Sequence, residues 1–75
     1  MNKKLYIIVT FDTTSQAMHF EQSCEVKGRL IPIPSTISAG CGLAWRSEAI
    51  DKINLLDEIK KKDFMYKSIV EIMMR

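Results

Sequence analysis

The sequence predicts an α+β fold of the ferredoxin-like kind, with the element order β-α-β-β-α-β, a four-stranded antiparallel sheet and both helices on one face. Three observations predict it. An apolar block lies at 5–11, two amphipathic segments each follow a capping residue, and two short strands flank a loop at 35–42. With 75 residues, the chain has the length of one domain covering 1–75.

The first strand and the start of the first helix follow from local signals. The block 5–11 is continuous and rich in β-branched and aromatic residues, which is typical of a strand in the middle of a sheet. Thr13 and Gln16 have the spacing of a capping box in which Thr13 is the N-cap. We therefore expect the first helix to begin near Thr14.

The first helix is expected to turn an apolar stripe toward the core. Spacings of three and four residues place three residues on that stripe, namely Ala17, Phe20 and Cys24. Three others are expected to face outward: His19, Gln22 and Val26. Gly28 is predicted to end the helix, and Cys24 is interpreted as a packed core thiol.

The next two strands are predicted to form a hairpin. Strand character returns at 29–33, where Pro32 and Pro34 favour an edge position because proline donates no backbone hydrogen bond. A third short strand at 43–46 is expected to pair with the second. Alternation places Leu43 and Trp45 on one side of this strand and Ala44 and Arg46 on the other.

The second helix is predicted from its cap and its charges. Ser47 is expected to be the N-cap, with acidic residues in the first turn and lysines 60–62 in the last. The apolar face is expected to contain Ala49, Ile50, Ile53 and Leu56, with Ile59 at its margin. A fourth strand at 66–73 completes the sheet.

Composition and charge exclude several classes of function. A net charge of +2 is too small to indicate a nucleic-acid partner, and no run of about eighteen apolar residues predicts a membrane span. No cleavage site of small residues follows the block 5–11, so we expect a cytoplasmic protein in which Cys24 and Cys41 are free thiols. His19 has no partner at ligand spacing, so we expect neither a metal nor another cofactor.

The segment 38–42, Ser-Ala-Gly-Cys-Gly, contains the strongest candidate for chemistry. Cys41 lies between two glycines, which leave its thiol accessible and let backbone N–H groups approach it. Two interpretations stay open: a nucleophilic or persulfide-carrying thiol, or a tight turn that contains a small residue. Arg29 and Arg46 are expected to flank Cys41 in the hairpin. The predicted binding residues are Ser38, Gly40, Gly42 and Arg46.

Segments spread along the chain also resemble a known family. These segments are 6–14, 17–21, 29–34 and 38–44, and they resemble the small bacterial family of selenium/sulfur carrier-like proteins. The resemblance covers essentially the whole chain. It implies that Cys41 holds the sulfur or selenium atom. The partners that we expect for such a carrier are a cysteine desulfurase-like donor and an acceptor protein.

Two hypotheses of function follow. The first is a carrier, which needs one accessible thiol and a docking surface rather than a full catalytic apparatus. The alternative is a non-catalytic protein-interaction module whose sheet face and glycine loop bind a partner or a second copy, giving a homodimer. A thiol-disulfide oxidoreductase is disfavoured because the sequence contains no Cys-x-x-Cys. Both hypotheses describe a carrier or binding protein rather than a stand-alone enzyme.

Overall fold

The computed structural model describes residues 3–37 and 41–74 of the chain. Its elements are, in chain order, β1 (Lys4–Thr10), α1 (Thr14–Ser23), β2 (Arg29–Pro32), β3 (Leu43–Glu48), a 3-10 turn (Ala49–Asp51), α2 (Lys52–Lys62) and β4 (Ser68–Met74). The four strands and two helices within these ranges confirm an α+β fold. No helix in the same ranges has both the length and the apolar character that crossing a membrane requires.

All four strands join one antiparallel sheet in the order β2-β3-β1-β4. β1 lies inside the sheet, as its continuous apolar block predicts, and pairs with both β3 and β4. β2 lies at an edge and pairs with β3 from Arg29 opposite Arg46 to Pro32 opposite Leu43. The prediction of an edge strand from its prolines is therefore confirmed.

The core lies between one sheet face and the two helices. The sheet contributes Ile7, Val9 and Trp45, whose alternation and register place them on one face. Side chains from α1 and α2 pack against them in the same cluster, namely Ala17, Phe20, Leu55 and Ile59. The Phe20 ring lies at the centre of the aromatic contacts, with centroid distances of 5.3 Å to Trp45 and 4.5 Å to Phe64.

The start of α1 agrees with its capping signal. The Thr13 hydroxyl accepts a hydrogen bond from the Gln16 N–H at 3.1 Å, and the Gln16 side chain accepts one from the Asp12 N–H at 3.1 Å. The second hydrogen bond of the capping box is therefore made with the N–H of Asp12, one residue before the N-cap. Ala17 and Phe20 are buried and His19 is exposed, as the predicted stripe requires.

Gly28 does not end the first helix, contrary to the sequence prediction. α1 ends at Ser23, and the extended C-cap residue Cys24 donates its N–H to Phe20 at 2.8 Å. Gly28 instead lies against β3, where an added Cβ would come within 2.7 Å of the Ser47 hydroxyl oxygen and of the Trp45 ring. Close backbone approach, rather than a helix terminus, explains this glycine.

Ser47 is not the cap of the second helix. It is the fifth residue of β3 and is buried. Its hydroxyl accepts a hydrogen bond from Trp45 Nε1 at 2.8 Å. The same hydroxyl donates to the carbonyl of Lys27 at 2.9 Å. β3 therefore continues to Glu48, and α2 begins only at Lys52 after the 3-10 turn.

The buried face of α2 also differs from the prediction. Ile50 and Ile53, expected in the core, are 86% and 82% exposed. Leu55 and Ile59 are buried instead, one turn apart, together with the carboxylate residue Glu58. The helix begins later than predicted, so a different set of its residues faces the core. Glu58 can belong to that set because its carboxylate has hydrogen-bond partners, and a buried carboxylate is stable only where it is paired.

Candidate functional site

Cys41 lies in the connection between β2 and β3, where the sequence places it. Backbone pairing continues past the end of β2, since the Ile33 N–H donates to the Gly42 carbonyl at 2.9 Å. The Cys41 side chain is half-buried and packs against the edge of the helix-side core. Its Sγ donates a long hydrogen bond of 3.5 Å to the carbonyl of Leu43. The thiol is therefore attached to the end of a rigid hairpin and is partly accessible.

Gly42 next to it is explained by its backbone conformation. Its φ of +80° lies in the left-handed region, which favours glycine. Among the described residues other than its neighbours Cys41 and Leu43, no atom lies within 4 Å of the position that a Cβ would take. The space beside Cys41 is therefore open on this side. Ser38 and Gly40, the other two predicted loop residues, lie outside the described residues.

Arg46 and Arg29 do not flank Cys41, contrary to the expectation. They are cross-strand partners at the far end of the hairpin, whereas Cys41 precedes Leu43 at the near end. Arg46 is three residue steps along the strand from Leu43, which is about 10 Å. The Arg46 guanidinium lies over the Tyr6 ring, 4.6 Å from its centroid, on the face opposite Trp45. The structure therefore does not bring Arg46 together with the thiol.

Cys24 provides the second thiol of the chain. It is half-buried at the end of α1, packs against the core and donates a weak hydrogen bond to the Val26 carbonyl at 3.9 Å. Burial raises the pKa of the Cys24 thiol above its ordinary value. This environment supports its interpretation as a packed core thiol. Val26 is itself half-buried against the core, so its predicted outward position is wrong.

His19 is exposed on α1, and its ring lies 5.5 Å from the ring of Phe64. In residues 3–37 and 41–74, no group of three or more histidine, cysteine or acidic side chains has a geometry that would hold a metal ion. The contact of His19 with Phe64 therefore assigns it to the periphery of the core rather than to a site.

Sequence reasoning missed an ionic cluster around the buried residue Glu58 that joins the ends of the two helices. Glu58 accepts hydrogen bonds from Lys62 Nζ at 2.7 Å and from the Glu25 N–H at 2.8 Å. Lys62 also donates to the Ser23 carbonyl at 2.7 Å and to the Glu25 carboxylate at 2.9 Å. The bond from Lys62 is the main cause that lowers the pKa of Glu58. The spacing of four between Glu58 and Lys62 is the only local signal of this cluster in the sequence.

Comparison with known proteins identifies one family. A family model described as "Putative Se/S carrier protein-like" matches residues 6–71, a range that contains Cys41 and every element of the fold at least in part. Comparisons with curated proteins and with solved structures gave no match. The matched range therefore includes the β2–β3 loop, in which the thiol of Cys41 is half-buried.

Proposed function

The chain belongs to the Se/S carrier protein-like family, and on this premise we propose that it carries sulfur or selenium on the thiol of Cys41. The match over residues 6–71 is the observation that carries the proposal. The position of Cys41 supports it, because the thiol is partly accessible and the space beside Gly42 is open. A carrier needs such a thiol and a donor that can reach it.

The proposed loading step is a thiol–persulfide exchange. The Cys41 thiolate attacks the terminal sulfur of a persulfide on a cysteine desulfurase-like donor. The new S–S bond forms on Cys41 as the S–S bond of the donor breaks, and the donor leaves as its own thiolate. One sulfur atom moves and its terminal proton moves with it, so no external oxidant or reductant is needed. A selenium atom would be exchanged in the same way through S–Se bonds.

Loading requires that the Cys41 thiol lose its proton and its hydrogen bond to the Leu43 carbonyl. In the resting structure Sγ of Cys41 donates to the Leu43 carbonyl, and only the protonated thiol makes that bond. The thiolate has no proton to donate, and the carbonyl dipole repels it. We propose that the deprotonated side chain rotates away from Leu43 into the open space beside Gly42, where the donor persulfide reaches it.

The partners of this function are also proposals. The donor and an acceptor protein would both bind at the β2–β3 loop, because the loop carries the reacting sulfur. A reducing compartment such as the cytoplasm suits a protein whose function depends on a free thiol. We further propose that the sheet order β2-β3-β1-β4 represents the ferredoxin-like arrangement, with the two central strands β1 and β3 antiparallel.

A protein-interaction module is the second candidate function. Ile50 in the 3-10 turn and Ile53 at the start of α2 expose nearly all of their side chains, and exposed apolar side chains of this size are common where proteins associate. In that case the sheet face, the glycine loop or this part of α2 binds a partner or a second copy of the chain. Partner binding would then survive the loss of the Cys41 sulfur.

Mass spectrometry of the intact protein tests the carrier function. We would incubate the full chain with an active cysteine desulfurase and cysteine, and then measure its mass without a reductant. The expected result is a gain of one sulfur atom that a reductant removes and that Cys41→Ser abolishes. Cys24→Ala is the matched control and should gain the same mass. A wild-type chain that gains no sulfur from an active desulfurase would contradict the proposal and favour the interaction module.

A further inference from the structure

A polar hollow of about 290 Å³ lies at the end of β2 and β3 that is remote from Cys41. Its lining includes Tyr6, Lys27, Gly28, Arg29, Arg46 and Glu48. Three of these residues are cationic and one is anionic, although the net charge of the whole chain is only +2. Positive charge is therefore concentrated at this end of the hairpin.

The two arginines of the hollow face each other across the sheet. Arg29 on β2 is directly opposite Arg46 on β3, and paired residues project from the same sheet face. Like charges in this position destabilise a strand pair. Arg46 lies on an interior strand and is half-buried, so keeping an edge strand soluble does not account for it. An anion bound in the hollow would reduce the repulsion between these two charges.

The aromatic ring of Tyr6 holds one of these guanidinium groups in place. The central carbon of the Arg46 guanidinium lies 4.6 Å from the centroid of the Tyr6 ring on β1, which is a cation–π contact. An arginine held in this way loses less conformational freedom when it binds a ligand. Its N–H groups are therefore already oriented before an anion arrives.

The backbone that carries the other two cations is fixed to β3. The Ser47 hydroxyl donates to the Lys27 carbonyl at 2.9 Å. Gly28 packs so closely on β3 that an added Cβ would collide with the Arg46 carbonyl and with Ser47. Lys27 and Arg29, on either side of Gly28, are thereby held next to Arg46. The backbone on which these cations stand is thus an ordered part of the fold.

The carboxylate in the hollow forms its ion pair with Lys4 and not with these three cations. Glu48 is paired with Lys4 at 3.0 Å, and this bond is the main cause that lowers the pKa of Glu48, with weaker effects from Lys27 and Arg46. In the described ranges, the lysines that form ion pairs are Lys4, Lys52, Lys61 and Lys62. Lys27, Arg29 and Arg46 have no carboxylate partner there.

From this arrangement we propose that the hollow binds a tetrahedral oxyanion, the chemical class of phosphate and sulfate, either as a free ion or as a group on a small molecule. Arginine forks bind such oxygens in pairs, and two arginines and a lysine line this hollow. The site goes beyond the proposed carrier function, because it does not include Cys41.

Anion titrations of the full chain test this site. Inorganic phosphate, sulfate and acetate would each be added at constant ionic strength, with backbone amide NMR signals as the readout. We expect saturable phosphate and sulfate shifts confined to residues 27–29 and 46–48, and weaker binding of acetate. Arg29→Gln and Arg46→Gln should each weaken phosphate binding about tenfold or more, because each removes a charge-assisted pair of hydrogen bonds.

Matched variants distinguish specific anion binding in the hollow from nonspecific attraction of anions by the positive charges of the protein. Lys60→Gln removes the same charge from α2 and should change phosphate affinity less than about twofold, since salt screens distant charges. Cys41→Ser should leave phosphate affinity unchanged. Equal weakening by Lys60→Gln and Arg46→Gln, tighter binding of acetate than of phosphate, or no saturation would each overturn the proposal.

A measurement of Tm shows whether weaker phosphate binding in a variant is caused by misfolding. Arg29→Gln relieves the repulsion across the hairpin, so without phosphate and at low ionic strength its Tm should equal or exceed that of the wild type. Added phosphate should raise the Tm of the wild type and not that of Arg29→Gln. A lower Tm of Arg29→Gln in the absence of phosphate would show that this arginine stabilises the fold and would contradict an anion site.

Discussion

The ammonium group of Lys62 lies 2.7 Å from the carboxylate of Glu58, one turn earlier on α2, and this pair joins the ends of the two helices. Glu58 also accepts the backbone N–H of Glu25, and Lys62 donates to the carbonyl of Ser23 at the end of α1. These bonds replace the direct helix-capping contacts that this end of α1 would otherwise need. The Glu58 carboxylate must be ionised to keep them all.

The first prediction concerns acid stability. The pKa of Glu58 is lowered in the folded state, chiefly by Lys62 and then by the Glu25 N–H. The stability it contributes is therefore complete above the ordinary glutamate pKa and is lost as the pH falls through the lowered pKa. We expect Glu58→Gln to be less stable than the wild type near neutral pH and to lose less stability on acidification. Urea unfolding from about pH 2 to about pH 7, followed by Trp45 fluorescence, measures this.

Asp57→Asn is the matched control for this experiment, because Asp57 is an exposed carboxylate next to Glu58 on the same helix. It should keep the pH dependence of the wild type. If Glu58→Gln and the wild type lose the same stability between neutral and acid pH, Glu58 is not the group that titrates.

Lys62 has the corresponding effect at alkaline pH. Its pKa is raised in the folded state, so the stability that its ammonium group contributes is complete below the ordinary lysine pKa and is lost as the pH rises through the raised value.

The second prediction compares Gly28 and Gly42. Gly42→Ala puts a side chain into open space at a φ of +80°, so its cost is backbone strain alone, about 1 kcal/mol. Gly28→Ala forces a methyl group against the Arg46 carbonyl and Ser47, and should cost about 3 kcal/mol or more. Urea unfolding free energies of the two variants check the order. A larger loss for Gly42→Ala would contradict the backbone geometry described for both glycines.

Signals that span a few residues predicted much of the fold. The apolar block of β1, the Thr13 cap and the prolines of β2 each depend on chemistry within one element. They were sufficient for the element order, the interior position of β1 and the edge position of β2. The same local signals placed Cys41 in a loop between two strands.

Errors occurred where contacts between distant segments decide the outcome. Ser47 has the residue type and position of an N-cap, but its hydroxyl is bound by Trp45 and by Lys27, twenty residues earlier. Arg46 looked close to Cys41 in sequence, yet the strand register places it opposite Arg29 at the far end of the hairpin. A register of this kind is set by packing, which single-sequence patterns do not contain.

The third prediction tests the buried role of Ser47. Ser47→Ala removes the acceptor of Trp45 Nε1 and the donor to Lys27, leaving buried polar groups without partners. Stability should fall by about 1–3 kcal/mol. The indole N–H of Trp45 should also exchange with solvent faster, which a helix cap at this position would not explain. Ser15→Ala on the exposed side of α1 is the control, with a change within about 0.5 kcal/mol. An unchanged indole exchange rate in Ser47→Ala would contradict the hydrogen bond.

The fourth prediction concerns the reactivity of the two thiols. Burial raises the pKa of Cys24, so little of it is thiolate near neutral pH, whereas Cys41 has open space beside Gly42. Brief iodoacetamide treatment of the folded chain should therefore modify Cys41 before Cys24, as mass spectrometry of wild type, Cys24→Ala and Cys41→Ser would show. Both thiols should react at similar rates in denaturant, because unfolding removes the difference in burial. Faster modification of Cys24 in the folded chain would mean that its packed environment does not protect it, and that Cys41 is not the thiol a donor reaches first.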